Sequence, residues 1–347
     1  MVSTEGSPVP ANSEVTKRSS EQLGKELKAF FHGLKYDDHV MRAGYAKYAN
    51  GDVHVESAVN RIFDDEVTAG RLSHEERNLV GKMIPFGCRS AMWFYFNFSR
   101  ELKVVIGLFT TLVTRVDDLC NKDPTTMIPE IQRSILNWGS GDESHRVHAH
   151  IAHLQRVVTV EVPKYYGPVV SAIILKGAID FLVGCKMECW IPKGIACPPT
   201  SSRFPVYMRE KTGLGETYAY FNFPEKMFPE VKWLELYLPA IPDIAHFANG
   251  MNDVLSYYKE SLDEDDENTY VKTMSRALGC SAVDVWRSSC ERQKALISEI
   301  RATLSWRKDL LQAWSSFQDG YIFWHLMEKR ASGFPIPFEG SIRYCTI

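Results

Sequence analysis

The chain has 347 residues, of which 45% are hydrophobic and 12% aromatic, and its formal net charge is −3 at a sequence pI near 6.4. This composition supplies no basic surface, which argues against nucleic acid as a partner. The length supports a large core, and no change in composition divides the middle of the chain, so we expect one domain.

The N-terminal segment is polar and contains Pro8 and Pro10. It lacks the apolar run of ~7–15 residues that a signal peptide carries. We therefore predict a disordered tail over residues 1–20 and one folded domain over residues 21–347.

Most of the chain shows helical rather than strand periodicity, and no repeat of ~20–50 residues is present. The pattern predicts an all-α, single-domain helical bundle. Its helices are expected over Ser90–Val113, Tyr165–Trp190, Val231–Glu260 with a break near Pro239 and Pro242, Ala282–Ser305 and Leu310–Arg330. Loops are expected over Asn137–Glu143, Pro192–Phe204 and Ser332–Ser341.

The most apolar stretch, Val169 to Gly184, is interrupted by Lys176 and Asp180, so it stays short of the ~18 apolar residues of a membrane span. We predict a cytoplasmic protein with no membrane partner. The eight cysteines lack the paired spacing of a zinc site, so reduced and mostly buried thiols are expected. They lie at Cys88, Cys120, Cys185, Cys189, Cys197, Cys280, Cys290 and Cys345.

Two polar runs are predicted to have no catalytic role. The histidines between residues 145 and 153 do not keep one helical face, which favours packing or solvation over metal binding; they are His145, His148, His150 and His153. Five consecutive acids from Asp263 to Glu267 are typical of a solvated segment.

The segment from Asn252 to Glu260 carries a more specific pattern. Asn252, Ser256 and Glu260 recur at every fourth position, so a helix places them along one face. Their amide, hydroxyl and carboxylate oxygens suit Mg²⁺, which retains waters and takes phosphate oxygens from a substrate. Asp253 points elsewhere, towards a supporting or ion-pair role. An ordinary amphipathic helix is the alternative for the segment alone.

A second acidic cluster, Asp117-Asp118, follows an apolar helix. Paired aspartates are costly to bury without a compensating cation, and acids at a helix C-terminus oppose the helix dipole. A solvated last turn is the alternative. If the two helices face each other, the two clusters define a site that can hold a diphosphate between metal ions.

Several segments together resemble a known enzyme family. The segment from Asn252 to Glu260 resembles the Asn-Ser-Glu metal motif of class I terpene synthases, and Asp117-Asp118 resembles their aspartate-rich motif. The similarity is greatest to the trichodiene synthase family of fungal sesquiterpene cyclases, and it covers roughly residues 80 to 331. Further matching stretches are Leu108–Met127, Phe181–Cys189, Tyr207–Gly215 and Gly320–Leu326.

The resemblance implies a class I terpenoid synthase fold, three Mg²⁺ ions and a prenyl diphosphate substrate, usually farnesyl diphosphate. Asp117 would bind metal from one helix, and Asn252, Ser256 and Glu260 would hold another ion opposite. Glu188 matches an additional metal-facing glutamate. The aspartate motif departs from the family pattern DDxxD, because Asn121 stands where a third acid is usual and the next acid is Asp123.

The resemblance also assigns the groups that bind the diphosphate. Arg209 matches the diphosphate-sensing arginine, and Lys259 matches a diphosphate-binding lysine. The family usually ends a helix with an Arg-Tyr pair after a Trp, whereas here Trp324 is followed by Arg330-Ala331. We favour Arg330 as the ligand. Arg343-Tyr344 could fold back to substitute, with Tyr344 in the place of the missing tyrosine.

The predicted reaction is Mg²⁺-dependent ionisation of farnesyl diphosphate and cyclisation of the carbocation to a sesquiterpene hydrocarbon or alcohol, with release of diphosphate. A dry cavity must protect the cation. Candidate aromatic liners, if they are not core residues, are Phe86, Trp93, Phe109 and Trp324. A chain-elongating prenyltransferase would carry two DDxxD segments; a non-catalytic helical binding protein is the remaining alternative. The product, the substrate length and the oligomeric state, including a homodimer, stay open.

Overall fold

The computed structural model describes residues 12–49, 53–138, 148–191, 194–262 and 267–328. Within these residues every regular element is a helix or a helical turn, and no strand occurs. The predicted all-α fold is confirmed.

The described residues form sixteen α-helices in chain order. They are α1 (Asn12–Gly33), α2 (Asp38–Ala49), α3 (Val53–Thr68), α4 (His74–Gly81), α5 (Ile84–Phe94), α6 (Arg100–Lys122), α7 (Pro124–Leu136), α8 (Ala149–Arg156), α9 (Pro168–Trp190), α10 (Phe204–Thr212), α11 (Gly215–Tyr220), α12 (Glu230–Tyr237), α13 (Ile241–Leu262), α14 (Tyr270–Leu278), α15 (Ala282–Leu304) and α16 (Lys308–Met327). Helix α1 begins at Asn12, so residues 12–20 of the predicted tail are helical; the domain bounds themselves stay a prediction.

The prediction of one helix over Ser90–Val113 is wrong, because α5 ends at Phe94 and α6 begins at Arg100. Ser99 caps α6, since its backbone is extended and its side chain accepts a hydrogen bond from the Leu102 N–H at 3.4 Å. Apolar side chains continue across the turn, so periodicity alone does not reveal the break. The predicted break before α13 is confirmed, since a 3₁₀ turn over Leu238–Ala240 separates α12 from α13.

Helices α5, α6, α13 and α16 make the centre of the bundle. Helix α5 packs against α6 and α16, while α13 packs against α11, α15 and α16. The α5–α6 crossing requires a glycine at position 87, because a Cβ there would lie 2.3 Å from Thr111 Oγ1 and 2.7 Å from the Gly107 carbonyl oxygen. Between α13 and α16, the rings of Phe247 and Trp314 meet edge to face at 4.8 Å.

Helix α9 is long and apolar enough to cross a membrane by length and composition alone, although 44% of its most apolar window is buried within the protein. A core helix of a soluble protein passes the same test. Ion pairs join α9 to its neighbours: Lys176 Nζ lies 2.7 Å from Glu216 Oε2 on α11, and Asp180 Oδ1 accepts from Lys211 Nζ on α10 at 2.8 Å.

Two histidines of the run are part of the core. His150 and His153 are buried, and burial lowers the pKa of His150 to about 3 and that of His153 to about 4. The His153 ring packs against Phe63 at 5.2 Å. The predicted packing role is therefore what the structure shows for these two; His145 lies outside the described residues. The cysteines at described positions are free thiols, most of them buried, as predicted.

Candidate active site

A cavity of about 600 Å³ lies between α6, α9, α10, α13 and α14. It brings together polar side chains that are far apart in sequence, and these include most of the predicted metal ligands. Its wall contains Asp117 and Asn121 from α6, Glu188 from α9, Arg209 from α10, and Asn252 and Glu260 from α13. The two predicted metal-binding segments, Asp117-Asp118 and Asn252–Glu260, therefore contribute to one shared cavity.

The end of α6 decides which acids of the aspartate motif reach the cavity. Asp117 and Asn121 stand one turn apart on α6, and both line the wall. Asp123 instead is the N-cap of α7, and its carboxylate accepts a hydrogen bond from the Thr126 N–H at 3.2 Å. Hydrogen bonding by the Thr126 side chain, and then by this N–H, lowers the pKa of Asp123. Pro124 follows at the first helical position. The third acid of the motif thus starts a helix.

Arg209 connects α10 to α13 through three acceptors. Its Nε donates to Asp253 Oδ1 at 2.8 Å, and its Nη2 donates to Asn252 Oδ1 at 2.7 Å and to the Asn249 carbonyl oxygen at 3.1 Å. Burial raises the pKa of Asp253 to about 6, and the adjacent guanidinium opposes that rise. The expected ion-pair role of Asp253 is therefore observed, but Asp253 also lines the cavity, so the expectation that it points elsewhere is wrong. A strong positive charge stands next to one predicted metal ligand.

The amide of Asn252 has a second partner behind the cavity wall. Its Nδ2 lies 3.1 Å from His325 Nε2, and His325 Nδ1 lies 2.9 Å from the Tyr321 carbonyl oxygen. His325 is 1% exposed, and burial lowers its pKa to about 4. Sequence reasoning missed this residue, because nothing in the pattern of α16 shows that position 325 meets position 252.

The remaining predicted ligands divide into two groups. Ser256 is buried, donates its hydroxyl to the Asn252 carbonyl oxygen at 2.7 Å, and does not belong to the wall that the other ligands share. The side chain of Lys259 and the whole of Arg330 and Arg343-Tyr344 lie outside the described residues. Their predicted roles stay predictions.

The cavity wall also has an apolar part, formed by Ile191, Phe204 and Met208. The four aromatic residues considered as liners stand elsewhere, in the core. Phe86 meets Trp324 edge to face at 4.6 Å, Trp93 packs on Tyr48 at 5.6 Å, and Phe109 packs on Phe221 at 5.3 Å. The interpretation as core residues is the one that the structure supports.

The family model described as trichodiene synthase (TRI5) matches residues 28–332. The chain belongs to the trichodiene synthase family. This membership confirms the predicted family and the predicted class of enzyme, a terpene synthase that acts as a sesquiterpene cyclase.

Members of the trichodiene synthase family and related enzymes are similar over much of the chain. (E)-beta farnesene synthase of Metarhizium brunneum is 29% identical over 233 residues, which cover 67% of this chain and 68% of that protein. Longiborneol synthase CLM1 of Gibberella zeae is 27% identical over 233 residues, 66% of each chain. The chain thus spans about two thirds of the length of these relatives.

A solved structure of 2-methylisoborneol synthase from Streptomyces coelicolor, in complex with Mg²⁺ and geranyl-S-thiolodiphosphate, aligns with a TM-score of 0.49 and 14% identity over 82% of this chain and 95% of that one.

Proposed function

We propose that this protein binds farnesyl diphosphate with Mg²⁺ in the cavity between α6 and α13, ionises the allylic C–O bond and cyclises the carbocation to a sesquiterpene. One observation carries the proposal: Asp117 and Glu260, which belong to helices remote in sequence, line the same cavity. The alternative of a non-catalytic binding protein loses its support, because the family is enzymatic.

The donor set fits Mg²⁺ bound jointly with a diphosphate. Among the described residues no three His, Cys, Asp or Glu side chains form a group that holds a metal by itself. Mg²⁺ is ordinarily bound by one or two carboxylates, waters and substrate phosphate oxygens. Asp117 and Glu188 would serve ions on one side of the cavity, and Asn252 and Glu260 on the other. Ser256 would join them only by turning its hydroxyl away from the Asn252 carbonyl oxygen. The family resemblance suggests three ions.

When bound, Mg²⁺ neutralises the diphosphate and makes it a competent leaving group. The chain contributes fixed positive charge to the same end. Arg209 already stands at the wall beside Asn252, with 18% of its side chain exposed. A positioned guanidinium stabilises the charge that develops on a departing phosphate oxygen. Lys259 and Arg330 are proposed to add to this effect, with Arg343-Tyr344 as the alternative to Arg330.

The test is product formation by variants that lose one proposed metal ligand. Asn252→Ala and Glu260→Gln should each lower turnover of farnesyl diphosphate at least about 100-fold. The far-ultraviolet circular dichroism spectrum should stay that of the helical wild type. Gas chromatography of hexane extracts measures the product. Glu235→Gln, an exposed acid on α12, is the matched control and should retain full activity.

The same assay distinguishes the alternatives. Undiminished cyclisation by either ligand variant would contradict the metal assignment. Extension of the substrate when isopentenyl diphosphate is added would favour a chain-elongating prenyltransferase. Parallel incubations with geranyl and geranylgeranyl diphosphate establish the substrate length.

A further inference from the structure

The orientation of the Asn252 carboxamide is fixed from both ends by groups of opposite hydrogen-bonding character. On the cavity side, Arg209 Nη2 stands 2.7 Å away, and a guanidinium can only donate, so the facing atom is the oxygen. On the opposite side, His325 Nε2 stands 3.1 Å from the amide nitrogen. The Arg209 contact requires this orientation, and the His325 contact agrees with it when Nε2 is an acceptor.

The chain itself determines the state of the His325 ring. A carbonyl oxygen can only accept, so the proton of the ring lies on Nδ1, which is 2.9 Å from the Tyr321 oxygen. Nε2 is then the acceptor for Asn252 Nδ2. A proton on Nε2 as well would force the amide to turn over, and its NH₂ group would then face the donor Arg209. The hydrogen-bond network is consistent only with the neutral ring.

We infer that His325 is a positioning residue, which holds the carboxamide of Asn252 with its carbonyl oxygen towards the cavity as a ligand for a divalent cation. This inference rests on the proposed function. His325 does not itself line the cavity, since it lies on α16 behind α13 and is buried there. Partners of this kind, which orient a ligand from behind, typically contribute 10–100-fold to metal affinity.

Two substitutions separate the two hydrogen bonds of His325. A glutamine ends at the same distance from the backbone as Nε2, so His325→Gln keeps an acceptor for Asn252 Nδ2. An asparagine ends at the position of Nδ1, so His325→Asn keeps the bond to the Tyr321 oxygen and loses the one to Asn252. His325→Leu removes both. His325→Gln and His325→Asn both introduce a neutral carboxamide, and the two differ by one methylene. Any general effect of replacing the buried ring is therefore similar in the two variants.

The readout is binding, measured by calorimetric titration of Mg²⁺ into the full-length protein in the presence of inorganic pyrophosphate. His325→Asn and His325→Leu should weaken the apparent Mg²⁺ affinity about 10–100-fold, and His325→Gln should stay within about threefold of the wild type. Tyr166→Phe is the control for a lost buried hydrogen bond, because its hydroxyl donates to the Phe221 oxygen at 3.0 Å and does not touch Asn252. It should bind Mg²⁺ as the wild type does.

The outcomes separate this inference from the proposed function. If the wild type binds no Mg²⁺ with pyrophosphate, the proposed site is wrong, and the role of His325 with it. If the wild type binds and His325→Asn binds equally well, only the positioning role is overturned. Equal losses in His325→Gln and His325→Asn would also overturn it, because the acceptor would then be irrelevant. Should His325→Leu fail to fold, the two polar variants still decide.

Discussion

Arg209 and a metal ion would share the same oxygen atom of Asn252. In this structure the guanidinium donates to Asn252 Oδ1, one of the atoms proposed to bind Mg²⁺. It also forms an ion pair with Asp253, whose side chain is 7% exposed. The arginine therefore keeps a buried carboxylate paired and a ligand oxygen occupied, and both effects depend on its several donors.

Arg209→Lys tests whether the geometry of the guanidinium matters beyond its charge. A lysine presents a single ammonium and cannot reach the three acceptors on α13 that Arg209 contacts. We expect kcat/KM for farnesyl diphosphate to fall about 100-fold and the free energy of unfolding to fall by about 2 kcal/mol. Steady-state kinetics and urea unfolding measure the two effects. Activity within about threefold of the wild type would show that only the charge is needed.

At the scale of one element, the junction between α6 and α7 divides the aspartate motif into two functions. Asp117 and Asn121 face the cavity, whereas Asp123 caps the next helix. Residue type alone does not separate them, because capping and metal binding both use carboxylates. The spacing of one turn within α6 is the signal that distinguishes the first pair.

Matched substitutions at this junction should dissociate stability from activity. Asp123→Ala should lower the midpoint of thermal unfolding by about 2 °C and leave turnover at 25 °C unchanged, while Asp123→Ser, which keeps a cap, should restore the midpoint. Asp117→Asn should do the reverse, abolishing turnover with little change in the midpoint. Differential scanning calorimetry and product assays decide. A large loss of turnover in Asp123→Ser would place Asp123 in the site.

At the scale of the molecule, the helical bundle was predictable and the assembly of the site was only partly so. Helical periodicity predicts the long helices, because each buries one apolar face. The break between α5 and α6 is missed in this way, since the aromatic residues Tyr95, Phe96 and Phe98 continue the apolar pattern of α5 through the turn, although polar residues stand from Ser99 to Glu101. The family resemblance supplied Glu188 and Arg209, and it selected Asp117 from the pair Asp117-Asp118 that the sequence pattern had already indicated. The contact between His325 and Asn252 depends on how α16 packs on α13, which no local pattern encodes.

Glu66 connects separate parts of the fold through a buried carboxylate that pairs with two partly exposed arginines. Its side chain, on α3, is 9% exposed and accepts two hydrogen bonds from Arg71, both at 2.9 Å, in the turn that follows. Arg156 Nη2, at the end of α8, lies 2.6 Å from its Oε1. The bonds from Arg71, followed by those from Arg156, lower the pKa of Glu66 from 4.5 to about 2 against the opposing effect of burial.

Because the folded protein holds this carboxylate ionised, its contribution to stability is complete above pH 4.5 and is lost as the pH falls towards about 2. Glu66→Gln should therefore lower the free energy of unfolding by about 3 kcal/mol at neutral pH, and the difference from the wild type should shrink by about 1 kcal/mol at about pH 3.5. Urea unfolding at both pH values measures this difference in the free energy of unfolding.

The control is Glu291→Gln, which removes an exposed pair with Lys294 on α15 and should change the free energy of unfolding by less than about 0.5 kcal/mol at either pH. A pH-independent difference for Glu66→Gln would mean that packing, and not the charge of Glu66, joins α3 to α8.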